Sequence, residues 1–197
     1  MATFTTTFTV QQIIARAGSG ASGSFTNPTS GGLVDDVNYS QWADSSLGTR
    51  YTNWLVVSSI LNGHLLPDNG IITGIQVPVK RKDLNEDDGD AGTYSDTSLI
   101  YVSTSLSSPN GTSKSSATKW PAADTAEVFG STSDMWGQTF TGAQVKLAGF
   151  SVWLSARLVE SLNTPAPAVG RIALTLTYTP PAGKPKAAHH MRLLRAA

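Results

Sequence analysis

Two stretches in the second half of the chain alternate apolar and polar positions. In residues 148–159, Phe150, Val152, Leu154, Ala156 and Leu158 share one face, with Ser151, Trp153, Ser155 and Arg157 on the other. In residues 169–179, Ile172, Leu174, Leu176 and Tyr178 face one way and Arg171, Ala173, Thr175 and Thr177 the other. A period of two predicts strands. Their half-polar character suits the faces of antiparallel sheets rather than a parallel sheet buried on both sides. Residues 71–82 repeat the pattern with Ile75, Val77 and Val79 on one face. Pro78 lies on the opposite face and has no N–H to donate, which predicts an edge strand or a bulge. Residues 34–43, 50–59 and 98–103 are further strand candidates, with Trp42 and Trp54 expected inside. Pro67-Asp68-Asn69-Gly70 and Pro109-Asn110-Gly111-Thr112 are turn sequences. Helix is confined to one turn at 142–147 and a short basic segment at 187–197. Seven to nine strands joined by Gly- and Pro-rich turns predict an all-β chain, a single antiparallel, jelly-roll-like β-sandwich.

The ends of the chain read differently. Phe4, Thr5, Thr6, Thr7, Phe8, Thr9 and Val10 favour extended backbone. Gly18-Ser19-Gly20-Ala21-Ser22-Gly23 has the composition of a linker. Residues 1–24 are therefore expected to form an N-terminal arm and linker, 25–179 the sandwich, and 180–197 a basic tail. A loose joint suggests an arm that docks on a neighbouring subunit.

Charge is sparse, at 14% of residues, and the net charge is zero. Lys184, Lys186, Arg192 and Arg195 carry four of the 14 cations, so residues 1–179 hold 10 against 14 acids. The body is mildly acidic, which speaks against a nucleic-acid partner, whose binder would carry a broad basic face. There is no cysteine, so neither disulfides nor thiolate metal sites are available. The first residues lack a positive segment before an apolar run and so do not read as a signal peptide. No run reaches the 18 apolar residues of a membrane helix.

Candidate chemistry is thin. Asp83, Asn85 and Asp87 stand at the spacing that opens a calcium loop, with Asp88 and Asp90 close by. Gly89 is one residue late, however, and Tyr94 occupies the position that needs a glutamate. A solvated acidic loop is the simpler reading, and Lys80, Arg81 and Lys82 read as a solvated charge run. Asp134, Gly137, Thr139 and Phe140 approach the Asp-box of sialidase-like propellers, but the spacing is too long and the box occurs once. Asp134 is expected to cap a turn and Trp136 to pack inside. His64, His189 and His190 have no acid or cysteine beside them. Glu86, Glu127 and Glu160 are the only glutamates, and a carboxylate pair for glycoside hydrolysis stays open by sequence, since its partners can be distant along the chain. The sequence offers no catalytic, cofactor-binding or metal-binding set, so the chain is read as non-enzymatic.

Three motifs in order carry a family resemblance. Asn27-Pro28 and Asp35-Asp36 precede Leu66-Pro67-Asp68-Asn69-Gly70-Ile71-Ile72-Thr73-Gly74-Ile75-Gln76-Val77-Pro78-Val79-Lys80-Arg81. Gly130-Ser131-Thr132-Ser133-Asp134-Met135-Trp136-Gly137-Gln138-Thr139-Phe140-Thr141 follows, and then the two alternating strands. From Phe25 to Thr179 the chain resembles a β-sandwich module of bacteriophage structural proteins, found in minor tail, fibre and decoration proteins. It departs from that pattern by one residue on each side of Gly70. It also has Val169-Gly170-Arg171 where the module carries a Val-Asp-His. The resemblance implies a virion location and a role as a capsid decoration or cement protein attached through a terminal arm, with a tail or fibre subunit as the alternative. Its expected partners are other virion proteins (the major capsid protein or tail proteins) and further copies of itself, a homo-oligomer, with no membrane. A carbohydrate-binding module is the other alternative. It would meet a surface glycan through Trp120, Trp153, Tyr94 or Tyr101, and it requires two coplanar exposed aromatics on one face.

Overall fold

The computed structural model describes residues 2–7, 10–14, 25, 39–42, 48–58, 66–85, 93–160 and 165–181. Among the described residues eleven strands and one helical turn follow in order: β1 (Ala2–Thr7), β2 (Val10–Ile14), β3 (Ser40–Gln41), β4 (Gly48–Tyr51), β5 (Trp54–Ser58), β6 (Ile71–Asp83), β7 (Tyr94–Ser103), β8 (Lys114–Ser116), β9 (Thr125–Ser131), α1 (Gly142–Val145), β10 (Ser151–Glu160) and β11 (Pro167–Thr179). They form two antiparallel sheets packed as a sandwich. One sheet runs β1-β11-β6-β9, with β3 also on β11. The other runs β2-β5-β10-β7-β8, with β4 also on β10.

The alternation read from the sequence becomes the core. Ile75, Val77 and Val79 of β6, Ile172, Leu174 and Leu176 of β11, and Val152, Leu154 and Ala156 of β10 are each fully buried in one cluster between the sheets. Burying each of the Val, Leu and Ile side chains contributes on the order of 1.5–3 kcal/mol before the entropy of ordering is set against it. Trp42, Trp120 and Trp136 join this core.

Three expectations change. Pro78 is not on an edge, because β6 lies between β11 and β9. Its missing N–H is tolerated where the β11 register passes from Ile172↔Val79 to Thr175↔Gln76, flanking Pro78. The 50–59 strand is two strands, β4 and β5, both paired to β10 and broken at Thr52, whose N–H bonds Ala156 O at 2.9 Å. The N-terminal segment, expected to reach a neighbour, is paired with its own body. Ala2–Thr7 lies along 173–178 of β11, and Val10–Ile14 along 54–58 of β5. Both target strands would otherwise present bare backbone donors and acceptors there, and a Thr- and Phe-rich extended segment satisfies them. The linker at 15–24, residues 26–38 and the basic tail from 182 onward lie outside the described residues.

The Gly130–Phe140 motif is a folding device. Gly130 (φ +80°) lets the Trp136 ring lie against the backbone, with its indole N–H donating to Ile75 O at 3.0 Å. Trp136 itself holds φ 55°, and Asp134 Oδ1 fixes the turn by accepting its N–H at 2.9 Å. The capping reading of Asp134 and the burial of Trp136 both stand. The expected helical turn is present as α1, closed by a capping box between Thr141 and Gln144.

Candidate functional site

The outer face of the β5-β10-β7 sheet was the place to look for an aromatic platform. Trp54, Val56 and Trp153 form a separate buried cluster there, with Leu99, Tyr101 and Leu106 packed on it. Trp153 is fully buried. Its indole N–H donates to Ser105 O at 3.2 Å and to Ser151 Oγ at 3.0 Å, so the 104–108 loop covers it. Tyr101 stands edge-on to Trp54 at 74°. Trp120 is also fully buried, its indole N–H on Thr97 Oγ1 at 3.2 Å. Tyr94 is half-buried beneath Lys119 Nζ, 4.6 Å from its ring centre. All five tryptophans are buried, so neither Trp120 nor Trp153 can serve a glycan platform, and Tyr94 and Tyr101 are each half-buried against a neighbour. The correction has a simple cause: an alternating strand shows which side chains leave the core but not which loop folds over them.

Beside that cluster lies a polar cleft of about 190 Å³. Tyr51 from β4, Arg157 from β10, Asp96, Thr97 and Ser98 from β7, and Ser115 and Ser116 from β8 line it. Tyr51, Arg157 and Asp96 stand directly opposite one another across three strands. Between β10 and β7 the register passes from Ser155↔Leu99 to Ala156↔Thr97, making Ser98 the extra residue of a β-bulge. Bulges re-aim side chains and recur beside binding sites. Arg157 Nε donates to both Asp96 oxygens at 3.1 Å, and Nη2 closes on Oδ2. The hydrogen bond to Asp96 raises the guanidinium pKa further above its ordinary value. Burial opposes this, and the Asp96 charge adds to it, with Tyr94 and Tyr51 contributing less. The guanidinium is therefore charged throughout the ordinary pH range.

The other candidates hold structure. Asp83 is fully buried: Oδ1 accepts the N–H of Ala166 (2.7 Å) and of Asn85 (3.1 Å), and Oδ2 the hydroxyl of Ser95 (2.7 Å). It pins the β6 end to the β11 start rather than opening a calcium loop. Asp87, Asp88, Gly89 and Asp90 lie outside the described residues, as do Glu86, His64, His189, His190 and the Glu160 side chain. Arg81 departs from the solvated-run reading. It is 1% exposed, paired with Glu127 at 2.6 Å and stacked 5.5 Å over Trp120. Lys80 and Lys82 flank it on the opposite face, each 3.5 Å from Asp124. Burial pushes the Asp124 carboxyl up, but the Tyr39 hydroxyl and the two lysines outweigh it and hold the pKa below the usual range. Among the described residues no three His, Cys, Asp or Glu side chains come together to hold a metal, and no helix is long and apolar enough to cross a membrane.

The sequence did not point to the Tyr51–Arg157–Asp96 row. Its members are spread over more than a hundred positions, and only strand register joins them. No protein-family model matches the chain, and no curated protein does. Among solved structures, 90% of the chain aligns with 34% of a family two carbohydrate esterase from Cellvibrio japonicus, at 12% identity and a TM-score of 0.27. The chain thus spans about a third of that protein's length, and a likeness this slight carries no argument about fold or function.

Proposed function

We propose that this chain is a non-enzymatic structural protein of a bacteriophage particle, a capsid decoration or cement protein present in many copies. A tail or fibre subunit is the second location for the same module. The observation that carries this reading is the use made of described residues behind the resemblance: Gly74, Gly130, Asp134 and Trp136 each have a folding task. Gly74 passes so close to Thr132 that a Cβ would lie 2.0 Å from its carbonyl. Gly130, Asp134 and Trp136 build the turn that seats an indole in the core. A module whose distinguishing residues serve rigidity suits a part that works by being in place.

Attachment then uses main-chain pairing. Because Ala2–Thr7 and Val10–Ile14 are paired in cis, joining a neighbour means trading those ladders for the same ladders in trans. The alternate amides of 3–7 and 10–14 that face β11 and β5 are accordingly expected to be protected from exchange in the free protein. Immunogold electron microscopy of phage particles with antibody to this chain tests the role. Label over the head supports decoration, and label on the tail or its tip moves the protein there. Particles without label, with the epitope shown to be accessible and the chain absent from their protein content, would overturn a virion role.

A further inference from the structure

We propose that the cleft between β4, β10, β7 and β8 binds a single neutral sugar ring. The inference is independent of the virion reading, since it rests on the cleft alone. The size comes first. The cavity of about 190 Å³ equals the liquid volume of roughly six waters at ~30 Å³ each. It is smaller than the ~300–1,000 Å³ typical of sites for larger ligands. One ring fits, and a chain would continue past exposed Ser115 and Ala117 at the rim.

Charge and hydrogen-bonding capacity then choose the chemistry. The only two ionised groups in the lining, Arg157 and Asp96, neutralise each other, and Asp96 has a side chain 2% exposed. An anion entering the cleft would meet that fixed carboxylate, and a cation would meet the guanidinium. What the cleft offers is a mixture of donors and acceptors. Arg157 Nη1 makes no hydrogen bond among the described residues, its Nε and Nη2 being engaged by Asp96. Ser116 Oγ accepts from the Thr118 N–H, so its hydroxyl proton remains to be donated, whereas Thr97, opposite the core residue Ala156, turns its hydroxyl inward to Trp120. Asp96 keeps acceptor capacity beyond its Arg157 bonds, since a carboxylate has about four lone-pair sites. Tyr51 contributes a ring for the C–H face of the ligand. Adjacent hydroxyls that donate and accept at once match such a set. A tryptophan platform is not needed, because the polar groups of the cleft supply recognition and Tyr51 the one ring contact.

The test is saturation-transfer NMR on the full chain with the methyl α- and β-pyranosides of glucose, galactose, mannose and N-acetylglucosamine. Each is titrated to about 20 mM, with inorganic phosphate as the anionic competitor. At least one pyranoside is expected to bind saturably, and Arg157→Met and Ser115→Phe to weaken it by about tenfold or more. Ser115 is exposed, so Ser115→Phe blocks the rim without touching the core and remains informative if Arg157→Met fails to fold. The proposal is overturned by absence of saturable binding to every pyranoside, by unchanged affinity in Ser115→Phe, or by phosphate displacing the sugar at equal concentration.

Discussion

Replacing Asp83 by alanine removes the acceptor for three hydrogen bonds where β6 meets the start of β11. The Asn85 N–H belongs to an exposed residue and can turn to water. The Ala166 N–H and the Ser95 hydroxyl sit on residues 7% and 0% exposed and cannot. A buried polar group left without a partner costs ~1–3 kcal/mol, so two cost ~2–6, centred near 4 kcal/mol. For a chain of this size each kcal/mol lowers Tm by ~2–4 °C, giving a fall of ~8–16 °C. Asp83→Asn separates charge from geometry. Its amide oxygen can take both N–H donors, and the Ser95 hydroxyl can rotate to accept from the amide N–H₂. Neutral hydrogen bonds are about half as strong as charge-assisted ones, so this variant should lose only ~1–2 kcal/mol. Urea unfolding followed by tryptophan fluorescence, with linear extrapolation, measures both. A loss below ~1 kcal/mol in Asp83→Ala, or equal losses in the two variants, would refute the argument that Asp83 is a buried acceptor.

Gly130→Ala would place a Cβ 2.3 Å from Ile75 O and 2.9 Å from Trp136 Nε1, at φ +80°. Left-handed strain of ~1–2 kcal/mol plus overpacking of ~1–3 kcal/mol predicts a loss of ~2–5 kcal/mol in thermal unfolding, and a near-neutral result would contradict it. At Asp134 burial pushes the pKa up, but the Lys114 hydrogen bond, the Trp136 N–H and the Lys114 charge hold it below 3.8. A depressed folded pKa stabilises above the unfolded value and loses that stabilisation as pH falls through the folded one. The stability gap between wild type and Asp134→Asn should therefore be present at neutral pH and close by about pH 2, as read from urea titrations at both; a constant gap would count against it. Because all five tryptophans are buried, native emission should be blue-shifted and resist acrylamide. A readily quenched fraction in the folded protein would show that at least one indole is open.

The inward faces of the strands were legible from their alternation. Phe150, Val152 and Leu154, and Ile172, Leu174 and Leu176, stand where their alternation put them. The pattern did not show where the outward face is covered as well. Trp153 and Trp54 lie on the outer side of their sheet yet are buried by a loop and by each other. Arg81, at the centre of a basic run, faces inward because strand alternation sends Lys80 and Lys82 the other way and Glu127 neutralises it. Pro78 misled because a missing donor marks a gap in one ladder, not the edge of a sheet. The sugar cleft was not legible, since Tyr51, Asp96 and Arg157 become neighbours only through pairing register and a bulge at Ser98.

The pairing of β1 with β11 also sets a clock. Ala2 lies opposite Tyr178 and Thr7 opposite Ala173, so among the described residues the first to leave the ribosome pair with nearly the last. Closing so long a loop delays the contact that rewards it, and sheets built this way fold slowly. Until β11 emerges, the Thr- and Phe-bearing N-terminal segment has no ladder to join, and β5, which appears sooner, offers a place only to Val10–Ile14. During synthesis on a polysome, many copies of that unclaimed strand wait side by side. A chaperone, or an early encounter between nascent chains, can therefore decide whether the ladder closes within one molecule or between two.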